Sequence, residues 1–71
     1  MEKIKIDLIA NVPDDDKLNQ AKVNEYLDML TNGTVIQPII VKKATHGYWL
    51  KDGAHRIKAH KMKGLKTIMA R

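Results

Sequence analysis

A glycine, a histidine and an arginine stand close together in the segment from Asp52 to Lys58, DGAHRIK. A glycine just before a helix permits a tight turn, and the first N–H groups of that helix have no intrahelical acceptor. Together with the helix dipole, those N–H groups form a binding site for an anion. The side chains of His55 and Arg56 would lie in the first turn, where a forked guanidinium suits phosphate oxygens. The segment therefore predicts a phosphate site, with Lys58 adding positive charge nearby.

The same residues have a simpler interpretation. Gly53 would then only permit a turn, and His55 and Arg56 would be solvated surface residues. A Gly-x-His-Arg string is too short to decide between the two interpretations.

The charges are unevenly distributed along the chain, which has a net charge of +5. Residues 1–30 hold seven of the eight acidic groups, and residues 42–71 hold nine cations and the single carboxylate of Asp52. This asymmetry indicates a partner rich in phosphate, either a nucleotide or a nucleic-acid backbone. A basic face that only aids solubility is the alternative.

Composition excludes several classes of protein. The 71 residues are enough for one domain, predicted over residues 1–71. The chain has no cysteine and no serine, so disulfides, thiolate metal sites and a serine triad cannot form. We predict no metal site. No apolar run approaches the roughly 20 residues of a membrane span, and the N-terminus lacks a secretory signal. These features favour a cytoplasmic protein with no membrane association.

The first half of the chain predicts a strand and then a helix. Polar and apolar residues alternate from Lys3 to Ile9, which predicts a strand with Ile4, Ile6 and Leu8 on its buried face. A loop follows, from Ala10 to Lys17. The helix comes next, with an apolar stripe, an N-cap and a left-handed glycine stop. The stripe is Val23, Tyr26, Leu27 and Leu30, the cap is Asn19 and the stop is Gly33.

The second half predicts a hairpin, a helix and a last strand. Pro38 lacks an N–H and marks the start or an edge of the first of these strands. The second helix is weakly amphipathic, and its pattern does not decide which side is buried. The whole predicts a small mixed β-sheet with two main helices, an α+β fold. The predicted elements are strand Val35 to Val41, turn Ala44 to Gly47, strand Tyr48 to Lys51, helix Ala54 to Lys63 and strand Thr67 to Ala70.

Trp49 and Tyr48 lie on the predicted return strand. These aromatic side chains could stack on a base, as they do in proteins that bind single strands. A lone tryptophan in a short strand is more often part of a core or an interface, and we keep both interpretations open.

Two spaced motifs, GTVIQPIIV and YWLKDGAHRIKAHKMKGLKTI, resemble the N-terminal domain of the ParB family, within the ParB/sulfiredoxin-like group. The resemblance covers almost the whole chain. It implies a minimal ParB-like fold, in which the Q-P segment and the glycine–arginine helix start hold a nucleotide with magnesium, CTP in ParB itself. Carried over, it assigns Gln37 and Pro38 to the nucleotide and Gly53, Ala54, His55 and Arg56 to its phosphates. The matching residues are Gly33, Gln37, Pro38, Gly53, Arg56, Ala59, Gly64 and Leu65.

Departures from the family pattern centre on Ala54. It replaces the glutamate of the family's G-E-R-R, a residue implicated in metal-assisted hydrolysis, which leaves Asp52 as the nearby acidic group for magnesium. In the sulfiredoxin motif G-C-H-R the cysteine would fall at Ala54, so the chain cannot be a sulfinic acid reductase. The D-G-H-H-R motif of ParB-like free-serine kinases has its first histidine at the same position.

These observations favour a binding module over an enzyme. We expect a small ParB-like protein, from a phage or mobile element, that binds a nucleoside triphosphate with Mg²⁺ or a nucleic-acid phosphate and assists DNA-related processes. One alternative is an NTPase, phosphotransferase or nuclease, in which Asp52 and His55 handle a metal or a proton. Another is a ligand-free interaction module that docks on a larger protein or on a second copy. The preferred nucleotide and the oligomeric state remain open.

Overall fold

Five strands and two α-helices form the protein in a computed structural model, which describes all 71 residues. Two short 3-10 turns, Ile6–Leu8 and Asp15–Lys17, interrupt the first third of the chain. The predicted α+β architecture with two main helices is confirmed. The elements are β1 (Glu2–Lys5), β2 (Ile9–Ala10), α1 (Gln20–Asn32), β3 (Ile40–Ala44), β4 (Gly47–Asp52), α2 (Ala54–Met62) and β5 (Thr67–Ala70).

The strands form two small sheets, which are joined where Ile39 and Val41 bond to Met69 and Arg71. β1 pairs with β5 in antiparallel fashion, and β4 lies between β2 (parallel) and β3 (antiparallel). Ile39 joins the sheets, because its N–H donates to Met69 O at 3.0 Å and its carbonyl accepts from Arg71 N at 2.9 Å. The chain before β3 is therefore fixed against β5.

The predicted first strand is broken after Lys5. The 3-10 turn Ile6–Leu8 interrupts it, so Leu8 is exposed and Ile9 is buried instead. In a 3-10 turn, side chains three residues apart point in the same direction, so Ile9 follows Ile6 into the core. The alternation expected for Ile4, Ile6 and Leu8 holds only for the first two.

The predicted strand Val35 to Val41 is also shifted. β3 begins at Ile40 and continues to Ala44, while Val35 is largely exposed. Pro38 has no N–H to donate to a ladder, which accounts for regular pairing starting only beyond it. The turn and the return strand β4 lie where the sequence indicated.

Local signals set the ends of α1. The side chain of Asn19 accepts hydrogen bonds from Ala21 N at 2.9 Å and Lys22 N at 3.4 Å, as expected of an N-cap. Gly33 ends the helix with φ of 73°. Both predictions are confirmed.

Ile57 decides which face of α2 is buried. It belongs to the core with Ile39 and Leu50, and Ala59 is also buried. Met62 is half exposed, because the face of α2 that packs inward contains Ile57. The core consists of Ile4, Ile6, Ile9, Ile39, Leu50, Ile57, Ile68 and Ala70.

Candidate functional site

Gly53, immediately before α2, is buried and has φ of 127°. A Cβ added there would lie 2.7 Å from Ile39 Cβ and closer still to its Cγ2. Both the backbone conformation and the neighbouring side chain therefore require glycine. The sequence indicated a glycine that permits a close turn, and the structure identifies Ile39 as the group that approaches it.

The first turn of α2 has no side-chain cap, unlike that of α1. Its first intrahelical hydrogen bond joins Ile57 N to Gly53 O at 3.0 Å. The N–H groups of Ala54, His55 and Arg56 precede that bond and have no intrahelical acceptor. They form the anion-attracting end of a helix of nine residues.

Arg56 connects α2 to the Gln37–Pro38 segment. One terminal nitrogen donates to Pro38 O at 2.8 Å and to Gln37 O at 3.1 Å, and the other donates to Asp52 Oδ2 at 3.2 Å. Its side chain is only 12% exposed, and its guanidinium carbon lies 5.9 Å from the centre of the Tyr26 ring. Three of the five guanidinium N–H groups thus have acceptors within the chain. The sequence predicted a guanidinium directed at phosphate, whereas here it mainly holds two backbone segments together.

His55 connects the starts of the two helices. Its Nε2 accepts a hydrogen bond from Asn19 N at 3.0 Å. The uncapped start of α2 therefore adjoins the start of α1. The positive ends of the two helix dipoles therefore lie close together, and both make the local electrostatic potential more positive.

Lys58 is directed away from the start of α2. Its Nζ binds Asp15 Oδ2 at 2.8 Å. The pair borders an open cleft of about 490 Å³, whose lining also includes Asp14, Asp16 and Lys61. The fold thus brings six of the predicted site residues together and leaves the Lys58 head group beside them, paired with the acidic loop. The six are Gln37, Pro38, Gly53, Ala54, His55 and Arg56.

A second open cleft, of about 450 Å³, lies beside Arg56. Its lining includes Gln37, Tyr26 and Glu25. The sequence placed Tyr26 in the apolar stripe of α1 and missed that it borders this cleft. The Tyr26 ring is half-buried beside the Arg56 guanidinium because α1 packs against α2. These elements are far apart in the sequence, so no local pattern indicates the contact.

The residues suit a magnesium ion only in combination with a ligand. No group of three or more His, Cys, Asp or Glu side chains lies close enough to hold a metal ion. Asp52, with its side chain 70% exposed, could supply one carboxylate oxygen. Magnesium commonly binds through one or two carboxylates together with substrate phosphates. The residues present thus fit an ion that arrives with a triphosphate.

The ParB N-terminal domain family matches the chain over residues 1–71. The matched region includes the uncapped start of α2, the arginine that binds the Gln-Pro carbonyls and both sheets. The chain belongs to the ParB N-terminal domain family. No curated protein matches it significantly. No helix of this ParB-type domain has the length and apolar character needed to cross a membrane.

Solved structures share the fold of this ParB-family chain. Sulfiredoxin from Arabidopsis thaliana is 27% identical with a TM-score of 0.85, over 99% of this chain and 80% of that one. A conserved hypothetical protein from Pyrococcus furiosus is 20% identical with a TM-score of 0.82, over 99% and 30%. The C-terminally truncated chromosome-partitioning protein ParB from Caulobacter crescentus, complexed with CTP-γ-S, is 22% identical with a TM-score of 0.68, over 99% and 43%. This chain therefore spans less than half of the last two proteins.

Proposed function

We propose that the protein is a nucleotide-binding module whose ligand places its phosphates at the start of α2. The observation that carries this proposal is the uncapped first turn of α2, in a family whose Caulobacter relative was crystallised with CTP-γ-S. The amides of Ala54, His55 and Arg56 would donate to the phosphate oxygens. By analogy with the chromosome-partitioning protein ParB of that family, the module would serve a DNA-related process as an accessory.

The surroundings of α2 support the binding of a negative ligand. The first turn carries no carboxylate, and the start of α1 adjoins it through the contact between His55 and Asn19. Gln37 is exposed and lies next to Arg56, where it can contact the rest of the nucleotide. Asp52 is the residue that would hold a magnesium ion carried by the phosphates. Lys58 flanks the site, and because its Nζ binds Asp15 we expect a smaller contribution from it.

Binding without turnover is the form of the proposal that the contacts favour. Of the two candidate catalytic groups, the Nε2 of His55 already accepts from Asn19 N, and Oδ2 of Asp52 is paired with Arg56, so that its other oxygen is the one available to a metal ion. A general base needs a free acceptor directed at its substrate. Ala54 also stands where the family motif carries a glutamate. We therefore assign no hydrolysis, transfer or nuclease step to these residues.

A thermal-shift experiment with CTP, ATP, GTP and UTP, each with and without Mg²⁺, tests the proposal. A ligand at a hundred times its dissociation constant should stabilise the fold by about 2.7 kcal/mol. For a domain of this size that corresponds to a rise in Tm of roughly 10 °C or more. No shift with any of the four nucleotides would refute nucleotide binding.

A matched pair of variants at His55 locates the site. His55→Gln and His55→Glu both retain an acceptor for Asn19 N, so both should fold. Glutamate adds a negative charge beside the phosphates and should remove most of the nucleotide-induced shift, whereas glutamine should keep most of it. Lys63→Ala removes a positive charge at the far end of α2, where Nζ contacts Thr31, and should leave the shift intact. Equal losses in His55→Glu and Lys63→Ala would indicate diffuse charge instead of a site.

The internal bonding of Arg56 favours a second candidate function. With three N–H groups occupied by the chain itself, this fold can be stable without any ligand. The protein would then act as an interaction module that docks on a larger protein or on a second copy. Absence of every nucleotide shift, together with binding to such a protein, would support this candidate over the first.

A further inference from the structure

Trp49 lies on the outer face of the three-stranded sheet and is 51% exposed. Its neighbour Leu50 belongs to the core with Ile57 of α2, so successive side chains of β4 alternate between the core and solvent. The face that carries Trp49 is therefore turned away from α2. The sequence left open whether this tryptophan stacks on a base or belongs to a core or an interface, and its exposure excludes the core.

Two lysines flank Trp49 on this face. Lys42 is its register partner on β3, and Lys51 follows two residues along β4, so both side chains point to the same side as the indole. On the other side, the register partner of Trp49 is Ala10 of β2, which is too small to cover the ring. The result is an open aromatic surface with a cation on each of two sides.

Both lysines are free of partners within the chain. The two ion pairs of the protein are Arg56 with Asp52 and Lys58 with Asp15. The single cation–π contact joins Arg56 to a tyrosine, so neither lysine on the outer face covers the indole. The ring and both ammonium groups are thus available to one ligand at the same time.

We propose that this outer face, formed by Lys42, Trp49 and Lys51, binds single-stranded nucleic acid. An unpaired base would stack on the indole, and the phosphates on either side of it would contact the two ammonium groups. An exposed aromatic ring beside cations in a sheet is the combination that recognises unstacked bases with little sequence preference. A second copy of the chain is a poor occupant, because face-to-face contact would bring four lysines together. This surface is separate from the proposed nucleotide site at α2, and neither proposal depends on the other.

Intrinsic fluorescence tests the proposal directly, because Trp49 is the only tryptophan in the chain. Titration with a short oligothymidylate or oligouridylate should quench the emission to saturation, and comparison of the two oligonucleotides shows whether DNA or RNA binds better. A duplex should quench less, because its bases are already stacked. Saturable binding of the oligonucleotides without any change in emission would overturn the proposal. So would a blue shift that grows with protein concentration alone, because it would show a second copy covering the indole.

Variants quantify the contribution of each group in an anisotropy assay with a labelled oligothymidylate. Trp49→Ala should weaken binding by roughly 5- to 140-fold, the equivalent of about 1–3 kcal/mol per stacked base. Trp49→Phe should restore part of the affinity, because the phenyl ring still offers a face on which a base can stack. Wild-type affinity in Trp49→Ala would refute stacking.

Salt dependence separates the flanking lysines from general charge. Each of Lys42→Ala and Lys51→Ala should reduce the slope of log K against log salt by about 0.7, the value for one phosphate contact on a single strand. Lys66→Ala is the control with the same change in net charge, and its slope should match the wild type. An equal reduction in all three variants would show that binding follows net charge and would overturn the assignment. In every one of these variants, the response to nucleoside triphosphates should remain.

Discussion

Substitution of Gly53 by alanine tests whether this glycine serves packing inside the chain or the approach of a ligand. Its φ of 127° is one that residues with a side chain rarely adopt, and the new Cβ would lie 2.7 Å from Ile39 Cβ. Ile39 is fully buried and has little room to move. Gly64 provides the matched control, with φ of 76° and no atom within 4 Å of the added Cβ.

The expected cost follows from two terms. An unfavourable backbone conformation costs about 1–3 kcal/mol, and an extra methyl group in a packed site costs about 1–3 kcal/mol more. Gly53→Ala should therefore lower the free energy of unfolding by about 2–6 kcal/mol. Gly64→Ala carries the backbone term alone, about 1–2 kcal/mol in the left-handed region. A protein of this size has a total stability of roughly 4–11 kcal/mol, so Gly53→Ala should leave it close to unfolding.

Urea and thermal unfolding, followed by circular dichroism without any ligand, measure both costs. The Tm of Gly53→Ala should fall below that of Gly64→Ala by at least about 4 °C. Truncation of Ile39 to alanine should reduce the cost of Gly53→Ala in a double-mutant cycle, because it removes the nearest atom, Cγ2. Equal losses in the two glycine variants, or strictly additive effects with Ile39→Ala, would refute the packing argument.

Substitutions at three further positions have expected effects on unfolding by urea. Arg56→Ala should lower the stability by about 2–3 kcal/mol, because Pro38 O is partly buried and loses a charged donor at 2.8 Å. A loss below about 1 kcal/mol would contradict the role of the guanidinium in joining α2 to the Gln37–Pro38 segment. Asn19→Ala should cost about 1 kcal/mol through loss of the helix cap, and Asn19→Ser should recover most of it; equal stability of both variants would contradict capping. Asp15→Ala should change the stability by less than about 1 kcal/mol, because the Asp15 carboxylate is 73% exposed and water screens its pair with Lys58. A larger loss would mean that the acidic loop is held by this contact.

Arg56 illustrates how a motif can be identified from the sequence while the role of its residues is not. The Gly-x-His-Arg spacing and the Gln-Pro motif pointed to one site, and the fold does bring the two segments together through the guanidinium. The acceptors of Arg56, however, are carbonyls 18 and 19 residues earlier in the chain. No local sequence pattern spans so many residues. The sequence therefore indicated that the two segments meet, but not that Arg56 is already bonded to the carbonyls of Gln37 and Pro38.

The sequence by itself determined the order of the elements from α1 onward, the cap of α1 at Asn19, its stop at Gly33 and the hairpin before α2. Each of these depends on the backbone preferences of a few consecutive residues, or on a hydrophobic repeat within one element. They are therefore encoded locally.

Only the tertiary structure decided that α2 packs through Ile57, that Ile39 requires a glycine at position 53 and that the first strand breaks after Lys5. It also decided that Trp49 faces solvent. These outcomes depend on which side chains from distant segments compete for the same small core. In a chain of 71 residues with only ten buried hydrophobic side chains, that competition overrides local periodicity.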